Sequence, residues 1–163
     1  MDITFSVVIP LYNKGREIAR TLGGVAAQTY TPLEVIVVDD GSTDDSARVV
    51  EGLDLPGVRL IRQPNGGVSA ARNRGIAETS APLLVFIDDD ERINPGFLRA
   101  YADFFDAHPD AVVAGGRIIA EYVTGRPVWL SKYTEMPIAN PMDFGDAVRP
   151  FPAGRVPGGG NMA

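Results

Sequence analysis

Short runs of apolar residues alternate along this chain with segments of helical length. Each run is nearly continuous in apolar residues, as expected for strands that helices cover on both faces. The alternation predicts an α/β sandwich with a mainly parallel central sheet flanked by helices. The predicted strands are residues 5–9, 33–38, 58–61, 83–87 and 111–114, and the predicted helices are residues 15–28, 43–52, 68–79 and 95–107.

Length and composition indicate one soluble globular domain. The chain has 163 residues, 45% of them apolar and 22% charged, which is enough apolar material for a substantial core. Its net charge of −6 argues against a general affinity for nucleic acid or for an anionic membrane. A phosphorylated ligand stays possible, because a bound metal ion can invert the local charge.

Several kinds of site and segment are excluded by residue content. Cysteine is absent, which excludes disulfides and thiolate zinc sites and is compatible with the cytoplasmic location that we expect. The single histidine, His108, cannot form a multi-histidine metal site, and we expect it to be exposed at a helix end. No apolar run is long enough for a signal peptide or a membrane span.

Polar residues follow three of the predicted strands directly. Two helix starts are also indicated, with Ser42 and Asn94 as the capping residues. In parallel sheets, ligands sit beyond the carboxyl ends of the strands, so we expect these polar residues to converge on one edge. The three segments are residues 10–13, 39–42 and 88–90.

The most acidic of these segments is the run Asp88, Asp89 and Asp90, followed by Glu91. Two like charges at ~4 Å repel by roughly 4 kcal/mol at an effective dielectric near 20, so such a cluster is costly without a counter-ion. Oxygen ligands from clustered aspartates suit Mg²⁺ or Mn²⁺. Taken alone, the run is equally consistent with a solvated acidic loop.

Four stretches in register resemble family 2 glycosyltransferases, whose nucleotide-sugar-binding domain has the GT-A fold, a Rossmann-like nucleotide-binding sandwich. Their order and spacing agree over about residues 4–105. The acid run corresponds to the D-x-D element of that family. The stretches are SVVIPLYN at 6–13, EVIVVDDGSTD at 34–44, GVSAARNRG at 67–75 and FIDDD at 86–90, ahead of Pro95.

The resemblance assigns nucleotide-binding roles to the first two strand ends. It implies that Asp40 accepts the N3–H group of uracil, with Asp39 as orienter or second contact, and a carboxylate suits this because it only accepts hydrogen bonds. It also implies that Pro10, Tyr12 and Asn13 line the base pocket. Helix capping is the alternative role for the two aspartates, and core packing is the alternative for Tyr12.

The resemblance places Arg72 near the nucleotide phosphates, which a guanidinium group binds with two parallel hydrogen bonds. Arg74 lies on another helix face and is expected to form a structural ion pair. The glycine pair at 66–67 either lets the backbone approach a ligand or simply makes a turn.

The resemblance makes Asp90 the ligand of an Mn²⁺ or Mg²⁺ ion. Asp88 and Asp89 would then contact the ribose or complete the water shell of the metal. Relatives often have Asp where this chain has Glu91, which alters at most the outer shell.

The resemblance implies transfer of a sugar from a nucleoside diphosphate sugar to an acceptor hydroxyl, with inversion at the anomeric carbon. UDP is the favoured nucleotide. The acceptor is an unknown sugar or lipid-linked compound, as in polysaccharide biosynthesis. In relatives, the general base follows a segment that resembles Asn161-Met162-Ala163. We therefore expect the base beyond Ala163, and we expect this chain to have little or no activity alone. Residues 1–123 are interpreted as the donor-binding domain, and residues 124–163, rich in proline and glycine, as an incomplete start of the acceptor side.

Two other classes of function are compatible with parts of the sequence. A non-catalytic nucleotide- or partner-binding module could keep the same scaffold, since fold does not determine function. An acid-pocket signalling or phosphatase domain would need a lysine after a late strand. The only lysines are Lys14 and Lys132, and neither has that position.

Overall fold

The computed structural model of the protein describes residues 4–30, 33–139 and 141–163. Four parallel strands form one sheet in the order β3-β2-β1-β4. The α/β prediction is therefore confirmed. The strands are β1 (Phe5–Leu11), β2 (Leu33–Asp39), β3 (Val58–Arg62) and β4 (Leu83–Phe86), and the helices are α1 (Ile18–Ala26), α2 (Ser46–Gly52), α3 (Val68–Glu78), α4 (Phe97–Ala107) and α5 (Lys132–Ala139).

Strand β1 is the centre of the fold and is buried along its whole length. It pairs with β2 on one side and β4 on the other. One face of the sheet packs against α1 and α4 through Ile18, Leu22 and Leu98, all with no exposed surface. The other face packs against α3 through Ala71 and Gly75.

The C-terminal segment extends the sheet beyond β4. Met162 forms isolated antiparallel bridges with Phe86 and with Gly115. Ala163 and Ala114 exchange backbone hydrogen bonds of 3.0 and 2.7 Å. The polypeptide from 158 to 163 is thereby brought beside the strand that carries the acid run.

The predicted fifth strand at 111–114 is wrong. In the described part of the chain this segment forms no strand, and Val112 is 93% exposed. Its apolar residues indicated a strand, but its backbone partner is the C-terminal segment rather than a neighbouring sheet strand. Helix α5, which contains Pro137, was not predicted because its sequence has no helical periodicity.

Both predicted helix caps are displaced. Helix α2 begins at Ser46, because the Asp44 carboxylate accepts the Ser46 backbone N–H at 2.9 Å while Ser42 bonds elsewhere. Helix α4 begins at Phe97, because the Asn94 side chain accepts the N–H of Gly96 at 3.0 Å and forms a turn. Among the described residues, no helix combines the length and apolar character needed to cross a membrane.

Candidate functional site at the carboxyl edge of the sheet

The ends of the strands are joined by hydrogen bonds at one edge of the sheet, as predicted. The backbone N–H of Tyr12 after β1 donates to Oδ2 of Asp89 after β4 at 3.0 Å. The N–H of Asn13 donates to Oγ of Ser42 after β2 at 3.0 Å. Residues 76 or more positions apart along the chain, such as Lys14 and Asp90, are therefore neighbours here.

The residues predicted for the base pocket occupy different environments. Pro10 is buried within β1, whereas the Tyr12 ring is 47% exposed at the edge. Asn13 has a positive φ of 54°, which asparagine tolerates, and its Oδ1 accepts the N–H of Thr43 at 2.8 Å. Asn13 therefore holds the turn after β2 in place, and Tyr12 presents an open aromatic surface.

Asp40 organises the loop between β3 and α3. It is only 2% exposed. Its carboxylate accepts the Gln63 amide at 2.7 Å and the N–H groups of Gly66 and Gly67 at 2.9 and 2.7 Å. Burial alone would raise the pKa of Asp40, but these hydrogen bonds outweigh it and lower the pKa.

These contacts bear on the alternative capping role of the two aspartates. Gly67 is the N-cap of α3, so Asp40 binds the start of that helix and not the start of α2. The carboxylate of Asp39, 4% exposed, accepts the N–H of Ser42 at 3.0 Å within the turn after β2. The carboxylate of Asp40 has about four acceptor sites, three of which are occupied.

Arg72 projects from α3 onto the acid run. Its Nη2 donates to Oδ1 of Asp88 at 2.7 Å, and the guanidinium lies 5.9 Å from the centre of the Phe86 ring. Its Nε is the one buried side-chain polar atom without a hydrogen-bond partner in the described part of the chain. Arg74 lies on another face of α3 and forms the predicted ion pair, with its guanidinium 2.8 Å from the Glu78 carboxylate.

Asp90 pairs with a lysine that the sequence did not single out as a site residue. Nζ of Lys14 lies 2.6 Å from Oδ2 of Asp90, and the two side chains are 38% and 45% exposed. The hydrogen bond to Asp90 raises the pKa of Lys14. The acid run is also held by α1, where Thr21 donates its hydroxyl to the carbonyls of Asp89 and Glu91 at 3.0 and 3.1 Å.

Two of the four acids are shifted towards the neutral form. Burial raises the pKa of Asp89 to about 6 and that of Glu91 to about 8, and the charge of Asp88 adds to the second shift.

In the described residues, no three acidic or histidine side chains are arranged as a ready-made metal cage. The half-exposed oxygens of Asp90 suit a hard divalent cation only if a ligand supplies the other oxygen atoms.

A glycine segment, Gly158-Gly159-Gly160, closes the site on the side of β4. Asn161 follows it and is 8% exposed, accepting the Tyr101 hydroxyl at 2.6 Å. Burial raises the pKa of Tyr101, so the hydroxyl stays a donor. The sequence did not identify Tyr101 as a site residue, because a tyrosine on the apolar face of a helix is indistinguishable by pattern from an ordinary core residue. The three consecutive glycines were the available signal for the segment.

The architecture is that of the GT-A glycosyltransferases. The TarS fragment 1–349 from S. aureus in complex with UDP superposes with a TM-score of 0.68 at 29% identity, over 77% of this chain and 38% of that one. The family model for glycosyl transferase family 2 matches residues 6–159, and the chain belongs to that family. The resemblance seen in the sequence is thus confirmed.

Two curated relatives are similar to this chain over more than half of its length. Glycosyltransferase YibD of Escherichia coli, itself uncharacterized, is 41% identical over 55% of this chain and 27% of its own length. The glucosyl-dolichyl phosphate glucuronosyltransferase of Haloferax volcanii is 32% identical over 75% of this chain and 40% of its own. The chain thus spans roughly a quarter to two fifths of the length of these relatives.

Proposed function

We propose that the protein binds a nucleoside diphosphate sugar, with UDP as the favoured nucleotide, and takes part in inverting transfer of the sugar to an acceptor hydroxyl. The observation that carries this proposal is the hydrogen-bonded convergence of Tyr12, Asn13, Arg72 and the acid run at the carboxyl edge of the sheet. Ligands of parallel α/β sheets bind at this edge.

The similarity to TarS supports UDP, since TarS has been solved with UDP and with UDP-GlcNAc. In this proposal the fourth acceptor site of Asp40 receives the N3–H group of uracil, Asp39 keeps the adjoining turn in place, and the exposed Tyr12 ring covers the base. Pro10 supports the pocket from within β1, and Asn13 shapes its rim.

Arg72 binds the diphosphate in this proposal. A guanidinium group keeps its charge at any physiological pH and matches phosphate geometry. Its ion pair with Asp88 orients it. Asp88 and Asp89 face the ribose or the water shell of the metal.

Asp90 would hold Mn²⁺ or Mg²⁺, with the diphosphate supplying further oxygen ligands. When bound, such an ion offsets the negative charge of the leaving diphosphate. Lys14 pairs with the same carboxylate and neutralises it in the absence of that ion. The acceptor is proposed to be a sugar or lipid-linked hydroxyl compound.

A thermal shift with UDP, with and without Mn²⁺, tests this function. A ligand at about 100 times its dissociation constant stabilises by roughly 2.7 kcal/mol, which is a shift of about 5–10 °C for a domain of this size. We expect the full shift only with UDP and Mn²⁺ together. No shift with UDP, GDP or dTDP would contradict the proposal, and nucleotide binding without sugar transfer would favour the non-catalytic module.

Asp90→Ala should abolish the part of UDP binding that depends on Mn²⁺ and leave the fold intact, because the side chain is half exposed. Asp103→Ala is the matched control, since Asp103 is an exposed aspartate on α4 away from the site. Unchanged UDP affinity of Asp90→Ala in Mn²⁺ would remove Asp90 from the proposed metal site.

A further inference from the structure

The glycine segment 158–160 lies directly on the ion pair between Arg72 and Asp88. A β-carbon built on Gly159 would lie 2.8 Å from Nη2 of Arg72, and one built on Gly160 would lie 2.6 Å from Oδ2 of Asp88. Real β-carbons do not approach so closely, so a side chain at either position would displace the Arg72 guanidinium or the carboxylate of Asp88. The position of this backbone therefore sets the space that the Arg72 guanidinium occupies.

The next residue, Asn161, anchors that backbone. Its side-chain oxygen accepts the Tyr101 hydroxyl at 2.6 Å and the Gly116 N–H at 3.3 Å, and its amide nitrogen donates to the Arg117 carbonyl at 3.0 Å. The bond between Tyr101 and Asn161 is buried. A buried hydrogen bond of this kind is costly to leave unmade.

The backbone after Asn161 is tied to the sheet. The N–H of Phe86 in β4 donates to the carbonyl of Met162 at 2.9 Å. The ring of Phe86 in turn contacts Arg72. Helix α4, the C-terminal segment and the end of β4 thus form one packed connection to the arginine.

We infer that Tyr101 and Asn161 are positioning residues for the diphosphate site, and this rests on the proposed function. The Tyr101 hydroxyl orients Asn161, Asn161 holds the glycine segment, and the segment confines the Arg72 guanidinium beside Asp88. Neither residue contacts the nucleotide in this proposal. Their effect on ligand binding passes through Arg72.

Three variants separate positioning from simple stability. Tyr101→Phe removes only the hydroxyl, and Asn161→Ala removes the whole anchor. Phe105→Leu is the matched control, because Phe105 is a buried core residue one turn further along α4 and its side chain has no group that could hydrogen-bond to Asn161. It should lower the melting temperature and leave the arginine site unchanged.

The first readout needs no ligand. The Arg72 Nε–H is buried, so its exchange with water, followed by NMR, should be slow in the wild type. We expect faster exchange in Tyr101→Phe and Asn161→Ala and unchanged exchange in Phe105→Leu. Unchanged exchange in the first two variants, or equally fast exchange in all three, would overturn the inference.

The second readout is affinity for UDP in Mn²⁺, compared with affinity for uridine. Tyr101→Phe should weaken UDP about 3- to 30-fold and leave uridine unchanged, and this loss should vanish in an Arg72→Ala background because contacting networks are not additive. The same fold-loss in both backgrounds, or no loss, would overturn the inference. If the wild type binds no nucleotide while the exchange results hold, the proposed function fails and the positioning of Arg72 stands.

Discussion

At the scale of single residues, three aspartates of the site have hydrogen-bond or ion-pair partners within the protein itself. Asp90 has Lys14, Asp88 has Arg72, and Asp40 has three donors from one loop. The sequence located these acids correctly because clustered aspartates after a strand are conspicuous. It could not give their partners, because Lys14 and Gln63 come from other loops and only folding brings them near.

Asp40→Asn should weaken binding of UDP more than binding of pyrophosphate and should also destabilise the fold. The amide cannot accept all three hydrogen bonds, and leaving a buried donor unpaired costs about 1–3 kcal/mol. Urea unfolding and calorimetric titration with both ligands measure the two effects. Equal losses for UDP and pyrophosphate would mean that Asp40 only stabilises the loop.

The lowered pKa of Asp40 also predicts a pH dependence. A carboxyl whose pKa is lower in the folded state stabilises the fold above its unfolded pKa, and this stabilisation is lost as the pH falls through the folded pKa. The difference in unfolding free energy between wild type and Asp40→Asn should therefore shrink in acid. A difference that is the same at neutral pH and in strong acid would contradict this.

At the scale of elements, the strands were predicted well, whereas three of the four predicted helices begin two or three residues later than expected. Near-continuous apolar runs identified all four strands to within a few residues, because burial on both faces leaves that pattern. The start of a helix depends on which of several nearby side chains accepts a hydrogen bond from the backbone N–H groups. Here the Asp44 side chain accepts the N–H of Ser46, and the Asn94 side chain accepts the N–H of Gly96. The segment at 111–114 was misread because its partner lies at the far end of the chain.

The contact between α3 and β1 predicts opposite results for one substitution at two helical glycines. A β-carbon on Gly75 would lie 2.2 Å from Cγ1 of Val8 in the core, whereas one on Gly23 in α1 meets nothing within 4 Å. Gly75→Ala should destabilise by about 1–3 kcal/mol or more. Gly23→Ala should stabilise by about 0.5–1 kcal/mol.

Thermal unfolding of both variants measures these effects. Stabilisation by Gly75→Ala would show that α3 does not approach β1 as described, and destabilisation by Gly23→Ala would show that α1 has a contact on that side.

At the scale of the whole molecule, the fold has a buried centre and a more exposed segment around residues 123–129. Strand β1 is fully buried between two neighbours, while Val123, Val128 and Trp129 are 81%, 104% and 68% exposed. The sequence, rich in proline and glycine over residues 124–163, predicts a separate segment there, and that boundary stays a prediction. It did not indicate that the last six residues return to the sheet, because single backbone bridges leave no periodic pattern.

Hydrogen exchange should follow this division. Amides of β1 should exchange only through global unfolding, whereas those of α5 and the surrounding loops should exchange through local opening. Adding denaturant would raise the exchange rate of the β1 amides strongly and that of the α5 amides hardly at all. Similar denaturant dependence in both regions would contradict the description.

The location of the nucleotide site is tested most directly by paramagnetic broadening of amide signals by the complex of Mn²⁺ with UDP. We predict that signals of Tyr12, Lys14 and residues 88–91 broaden, and that Mn²⁺ alone at the same concentration has a much weaker effect. Signals of residues 54–57, which precede β3 at the opposite edge of the sheet, should broaden least. Broadening centred elsewhere, or equal broadening by Mn²⁺ without nucleotide, would contradict a nucleotide site at the carboxyl edge of the sheet.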